Sequence, residues 1–411
     1  MPNSMQRRGW TSRICLQAGS VAMALAIVLA IIAILPAQAQ TFTLLYGFKG
    51  KSDGGVPEAG LLRDAAGNLY GTTSQGGYRH GACSGYGCGT VFKLAPNGKL
   101  TVLHTFKGSD GNLPTDALIS DKAGNLYGTT LAGGVHGGGT VFKVDRSGKE
   151  TVLHSFAGSS DGRPLGPLVR DKTGNLYGMT NAGGAYGQGT VFKINTSGKE
   201  TVLYTFTGGS DGGQPAVGGL IPDGAGNLYG TTALGGVNTC SRQGSGCGVV
   251  FKLDPAGKET VLYTFTGGAD GGEPLNGLTR DQAGNLYGSA GLPGWGSVFM
   301  LDATGKESVL YTFTDGADGG FPNGGLVRDA ADNLYGTATD GGSGDCHGAS
   351  CGVIFKLDKT GQETVLYNFD GDSNGYGPYA GLIRDKAGNL YGTAQFSGFD
   401  NGMGTVFKLV P

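Results

Sequence analysis

The chain has 411 residues, 83 of them glycine, with no Gly-X-Y register, which excludes collagen. Residues 41–411 hold 27 basic and 32 acidic side chains, a net of −5. That balance leaves no electrostatic footprint for nucleic acid or an anionic membrane surface.

The first element is a targeting segment. Arg7, Arg8 and Arg13 precede an apolar run from Ala18 to Leu35, and Pro36-Ala37-Gln38-Ala39 follows. A basic stretch, an apolar stretch and an Ala-x-Ala site make residues 1–39 a signal peptide, with a mature chain starting at Gln40. The run is long enough that an uncleaved N-terminal anchor is the competing reading. No membrane association is expected beyond this segment, and the address is the periplasm, the outer surface or the medium of a bacterium. Cys15 precedes the apolar run. The other six cysteines form close pairs, Cys83 with Cys88, Cys240 with Cys247, and Cys346 with Cys351. Local pairs on an exported chain predict disulfides. Zinc is the rival, with only His80 and His347 near enough to add ligands.

The next run, Thr41-Phe42-Thr43-Leu44-Leu45-Tyr46-Gly47-Phe48, reads as a strand without a partner of its own. After it the tetrapeptide Asn-Leu-Tyr-Gly begins seven times, at Asn68, Asn125, Asn175, Asn227, Asn285, Asn333 and Asn389. A period of 48–58 residues marks stacked supersecondary units. In the second copy, Ala117–Asp121, Asn125–Thr130, Thr140–Val144 and Glu150–Phe156 are four β-branched and aromatic runs bounded by turn residues. We term these strands a, b, c and d.

The a–b turn reads Asp-x-x-Gly-Asn in six copies, with Asp332 in place of glycine in the sixth. The c–d turn has glycine at 98, 148, 198, 257, 305 and 361. Short turns closed by a left-handed residue predict an antiparallel meander. Residues 41–48 match strand d, and the last repeat ends in strand c at Gly404–Leu409. One orphan d and one missing d complete a ring. The fold expected is all-β, a single seven-bladed β-propeller of four-stranded antiparallel blades closed by the N-terminal strand. It occupies residues 40–411, with blades at 60–106, 117–156, 167–206, 219–265, 277–313, 325–369, and 381–409 plus 41–48. A monomer is expected.

The elements Gly-Leu-Ile-x-Asp, Gly-Asn-Leu-Tyr-Gly-Thr-Thr, Gly-Thr-Val-Phe-Lys-Leu and Thr-Val-Leu-Tyr-Thr-Phe resemble the GloVer tandem repeat of exported bacterial proteins across residues 41–411. The resemblance implies a secreted repeat protein without an assigned chemistry. The C-terminal sorting segment that such proteins often carry is not expected here. The Asp-x-x-Gly-Asn-Leu-Tyr pattern also resembles the inner hairpin of NHL-type propellers.

Alternation places the a–b and c–d turns on one rim and the b–c and d–a loops on the other, which holds all the length variation and every cysteine pair. Loops that vary on a rigid scaffold are where binding usually lives. The b–c candidates are Tyr78, Arg79, His80, His136, Tyr186, Arg242, Trp295, His347, Phe396 and Phe399. Exposed aromatics among polar groups suit sugar rings or protein surfaces. The alternative is that they pack beneath their own loops, and Trp295 in particular could plug the gap left by the shortest one.

Each d–a loop carries Asp-Gly before a proline, read as an Asx-type turn rather than a calcium site. Beyond the prolines, Glu58, Asp116, Leu165, Asn276, Asn323 and Tyr379 should ring the mouth of a central channel. Glu58 and Asp116 are weak candidates for a catalytic carboxylate pair, otherwise solvated acids. His104 and His154 align with the strand-d tyrosines and read as structural. The aspartates ending strand a and the neighbouring arginines read as turn caps and inter-blade ion pairs. No Ser/His/Asp order, nucleotide loop, metal-ligand cluster or haem motif stands out, so no cofactor or metal is expected. The function expected is non-catalytic binding of a glycan or protein through the variable rim. The competing function is a secreted polysaccharide lyase or hydrolase acting at the channel mouth.

Overall fold

The computed structural model describes residues 40–158, 160–237, 240, 245–292, 294–346, 350–371, 374–397 and 402–411. Residues 1–39, read above as a signal peptide, and Arg242, His347 and Phe399 lie outside them. Thr41–Val410 forms seven antiparallel sheets of the expected a-b-c-d order, arranged as a seven-bladed β-propeller. In the second blade Ile119–Ser120, Leu126–Thr130, Thr140–Val144 and Glu150–Ser155 pair in sequence. In the seventh, Thr41–Gly47 pairs with Thr405–Val410, Thr41 opposite Val410, beside Leu390–Ala394 and Ile383–Arg384. Phe42 stacks on Tyr367 of the sixth blade at 4.0 Å and on Phe407 at 5.4 Å, so the N-terminal strand is packed as well as hydrogen-bonded.

The Leu-Tyr-Gly of the repeated tetrapeptide, which opens strand b, explains the sheet. Its glycine lies opposite the phenylalanine of strand c, as Gly178 does opposite Phe192. A Cβ on Gly178 would stand 2.5 Å from Phe192 Cζ, so the ring takes the place of a side chain. Each strand-c phenylalanine then meets, edge-on, the phenylalanine that ends strand d of the preceding blade. The seven pairs are Phe48–Phe92, Phe106–Phe142, Phe156–Phe192, Phe206–Phe251, Phe265–Phe299, Phe313–Phe355 and Phe369–Phe407, at 5.0–5.5 Å. Burial of each ring contributes about 1.5–3 kcal/mol, and the edge-on geometry about 0.5–1.5 kcal/mol more. The apolar core is therefore distributed between blades. Val91 and Phe106 of the first blade, for example, cluster with Leu118, Phe142 and Val144 of the second.

Two features differ from plain alternation. All seven c–d ladders slip by one residue, and the extra residue is always leucine: Leu45, Leu103, Leu153, Leu203, Leu262, Leu310 or Leu366. The bulge lets Leu103 pack with Phe106 against the next blade, although only His104 and Thr105 separate them. Strand a, expected over five residues, pairs over only two in most blades. The residues before it face the neighbouring blade instead. The carbonyls of Ala59, Asp116, Asn276 and Ala380 accept strand-b threonine hydroxyls from the preceding blade at 3.0–3.4 Å. At the axis the backbones nearly touch, and a Cβ on Gly218 would lie 1.5 Å from the Gly277 nitrogen.

The a–b corner corrects one expectation. Asp121 does cap its turn, accepting the Asn125 amide at 2.9 Å, Asn125 Nδ2 at 2.7 Å and the Tyr127 hydroxyl at 3.0 Å. Its equivalents do the same. The arginines, however, do not form the inter-blade ion pairs expected of them. Arg63, Arg170, Arg280, Arg328 and Arg384 lie over the strand-b tyrosine ring of the preceding blade at 5.4–5.9 Å. Among the described residues only Arg63 also reaches a carboxylate across the interface, Asp385 at 3.9 Å. Asparagine and tyrosine already occupy the aspartate oxygens, so the guanidinium takes the ring face. Asp332, the substitute for glycine, adopts φ +68° and pairs with Arg328.

Two outcomes test this packing. Deleting residues 41–48 is expected to lower the melting temperature by more than about 10 °C or cause aggregation; parent-like melting would show that closure contributes nothing. Gly178→Ala is expected to cost about 1–3 kcal/mol in denaturant unfolding, because its Cβ must displace a ring enclosed on all sides.

Candidate functional site

The d–a and b–c loops share one rim and are bolted together. The d–a aspartates form the floor. Asp53 accepts the Tyr46 hydroxyl at 3.1 Å and the Lys49 and Lys51 amides at 2.9 and 3.2 Å. Asp211, Asp270 and Asp318 each accept a strand-d tyrosine hydroxyl at 3.0 Å. A Gly-Gly step in the b–c loop then donates to this floor. The amides of Gly77, Gly134, Gly184, Gly236 and Gly342 reach carbonyls of Lys51, Gly108, Ser160, Gly209 and Gly316 at 2.6–3.0 Å. With the floor already occupied, the side chains just beyond the step have nowhere to fold back and stand in solvent.

Tyr78 and Val135 occupy that position, and Val135 is 80% exposed. Tyr186 comes one residue later, at 61%. His80 and His136 are exposed beside them, and the Tyr78 and His80 rings meet edge-on at 5.3 Å. Arg79 is tied down, donating to the Gly50 carbonyl at 2.6 Å. Phe396 is half-buried against Tyr376 at 5.2 Å. Tyr86, 73% exposed, belongs with the rim although it is not among the residues expected there. The signal was available: it is held between Gly85 and Gly87 inside the short Cys83–Cys88 ring.

The three disulfides join Cys83 to Cys88, Cys240 to Cys247 and Cys346 to Cys351, and all six sulfurs belong to buried residues. The second cysteine of each pair accepts an amide from the next d–a loop through its carbonyl, as Cys88 does from Leu113. Trp295 holds the equivalent place in the fifth blade, accepting from Phe321 at 2.7 Å and packing its indole edge-on to Phe321 at 5.3 Å. It is 40% exposed, so one face covers the shortened loop while the other meets solvent.

Inside the rim lies a central cavity of about 450 Å³ lined by strand-a entries of all seven blades, Glu58, Asp116, Leu165, Asn276, Asn323 and Tyr379 among them. Asp116 is not a solvated acid, being only 6% exposed. The Thr129 hydroxyl donates to it at 2.7 Å and the Gly166 amide also donates. Burial pushes its pKa up to about 6, and the Glu58 charge adds to the rise. Glu58 accepts Gln395 Nε2 at 2.6 Å, and burial raises its pKa too. Among the described lining residues there is neither histidine nor arginine.

Residues 30–242 and 238–411 match the Gloeobacter/Verrucomicrobia repeat in two successive segments. No curated protein matches the chain. Among solved structures, the fold is similar to two extracellular domains from B. thetaiotaomicron, each described as that of a putative hybrid two component system. One superposes with a TM-score of 0.57 at 15% identity, over 91% of this chain and 42% of that one. The other has a TM-score of 0.54 at 14% identity, over 90% and 41%. The chain thus spans about two fifths of each, and the likeness is one of fold.

Because folded Asp116 holds its proton to about pH 6, against 3.8 ordinarily, the folded state binds more protons between these values. Stability therefore falls as pH rises through that window and levels off above it. Asp116→Asn is expected to exceed the parent by up to about 3 kcal/mol at pH 7.5, with the gap closing at pH 4. Urea unfolding at both pH values measures it, and a pH-independent gap would refute the assignment.

Proposed function

The chain belongs to the Gloeobacter/Verrucomicrobia repeat family, and from its rim geometry we propose that it is an exported, monomeric, non-catalytic propeller that docks a protein partner on its b–c and d–a loops. The observation that carries this is where large apolar side chains are exposed. Among the described residues nine are, and seven stand on this rim: Tyr78, Tyr86, Val135, Tyr186, Val237, Trp295 and Tyr379. Seven of nine on one rim is a one-sided distribution, which a contact surface would use and random scatter would not favour. Tyr86, Val135 and Tyr186 come from three consecutive blades, and the aliphatic valine between tyrosines fits a protein surface better than a sugar, which stacks on aromatic faces. The loops are fixed by hydrogen bonds before contact, so little ordering cost opposes docking.

Export is supported by the signal-like residues 1–39, by the disulfides and by the fold shared with extracellular domains. A polysaccharide-active enzyme in the central cavity is the second reading, favoured by the buried Asp116 and its coupling to Glu58. It lacks a cationic group among the described lining residues to balance a reacting substrate.

Immobilised protein is expected to retain one envelope protein, and the Tyr86→Ala, Val135→Ser, Tyr186→Ala triple variant to lose it by more than about 30-fold in affinity, since two or three rim anchors carry about 2 kcal/mol or more, with melting unchanged. Equal capture by the variant would overturn the rim assignment. Retention of soluble glycan alone would make the ligand a sugar, and glycan cleavage abolished by Asp116→Asn would favour the enzyme.

A further inference from the structure

Strand d carries a tyrosine two residues before its terminal phenylalanine in five blades, but His104 and His154 in the first and second. The tyrosine hydroxyl satisfies the d–a aspartate directly, at 3.0–3.1 Å in Tyr46, Tyr204, Tyr263 and Tyr311. A glutamate that opens strand d of the next blade lies against the same aspartate, as Glu259 does beside Asp211. Replacing tyrosine by histidine turns this corner into an imidazole between two carboxylates contributed by two blades.

At His154 the corner is not closed by hydrogen bonds. Its Nε2 stands 3.8 Å from Asp161 Oδ2 and 4.0 Å from Glu200 Oε2, beyond hydrogen-bond reach of either. Among the described residues this Nε2 is buried without a hydrogen-bond partner, whereas the unpartnered Oε1 of Glu200 recurs in Glu150, Glu259, Glu307 and Glu363. Asp161 uses its other oxygen, Oδ1, to accept the Ala157 and Gly158 amides at 2.8 and 3.2 Å. Its Oδ2 is thereby aimed at the imidazole by a fixed loop. The three donor atoms all lie within 4.8 Å of one another, and the three side chains are 17–21% exposed.

Separations near 4 Å are too long for direct contact, and a small inward rotation of the three side chains brings their atoms to the roughly 3.4 Å spacing of tetrahedral ligands about 2.0–2.2 Å from one cation. We propose that His154, Asp161 and Glu200 bind a divalent first-row metal ion that staples the second blade to the third. One imidazole and two carboxylates suit zinc or manganese, whereas calcium and magnesium prefer all-oxygen sites. The equivalent corner in the first blade is closed differently: His104 Nε2 and Asp110 Oδ2 are 3.0 Å apart and bonded directly. His104, Asp110 and Glu150 also converge within 4.8 Å, but a cation there would have to break the direct His104–Asp110 bond, so the site is assigned to His154.

The repeat supplies its own control, since tyrosine stands at this position in five other blades and His154→Tyr should fold. The complete protein, stripped with a chelator and dialysed against zinc chloride or manganese chloride, is expected to bind one ion and to melt higher with metal. His154→Tyr and Glu200→Gln are each expected to weaken binding at least tenfold and to abolish the shift in melting, while His104→Tyr and His136→Ala leave both unchanged. Parent binding no tighter than that of His154→Tyr would overturn the proposal. So would loss of the ion on changing His104 or His136 with His154 intact.

Discussion

Everything in this molecule depends on one packing relation: the strand-c phenylalanine that fills the place of a side chain on strand b and receives the edge of a phenylalanine from the blade before. Each ring is wholly buried only because a neighbouring blade supplies half its surroundings. A single blade of this sequence would leave one such ring open on each side, and so would any arc of blades. The repeat therefore commits the chain to a closed circle. The N-terminal strand meets that commitment by bringing Phe48 onto Phe92 while it completes the seventh sheet.

Period, strand order, turn chemistry and closure are legible in the sequence because each rests on local residues repeated seven times. The features that are not legible rest on geometry that no spacing encodes. The leucine bulge is invisible to a period-two reading, since Val-Leu-Tyr and Val-Leu-His run as three apolar or amphipathic residues whichever way they face. The arginines suggest ion pairs because aspartate adjoins them in sequence, yet asparagine and tyrosine already satisfy that aspartate. Asp116 suggests a solvated acid because its loop is polar. Its burial arises from the convergence of seven strand-a backbones, which only the ring produces.

The rim shows the same division between repeated floor and individual surface. Asp-Gly loops and Gly-Gly steps recur and are occupied by one another, which leaves the intervening side chains as the variable part. Trp295 illustrates how substitution works on such a scaffold. Where a cysteine pair pins the loop in three blades, an indole packed on Phe321 does so in the fifth and still offers a face outward. Histidine in place of tyrosine in strand d is a substitution of the same kind, at the joint between blades rather than at the tip.

The partnership of Thr41–Gly47 with Thr405–Val410 also has a meaning in time. A chain is made from its N-terminus at roughly 5–20 residues per second, so the first strand waits tens of seconds for the last to exist. During that interval six sheets can form in order, but the ring stays open, with the earliest strand unpaired and Phe42 and Phe48 without their final neighbours. A chain cut short before Thr405 leaves that strand without its pairing partner. Synthesis of the Thr405–Val410 strand and protection of the Thr41–Gly47 strand are thus one event.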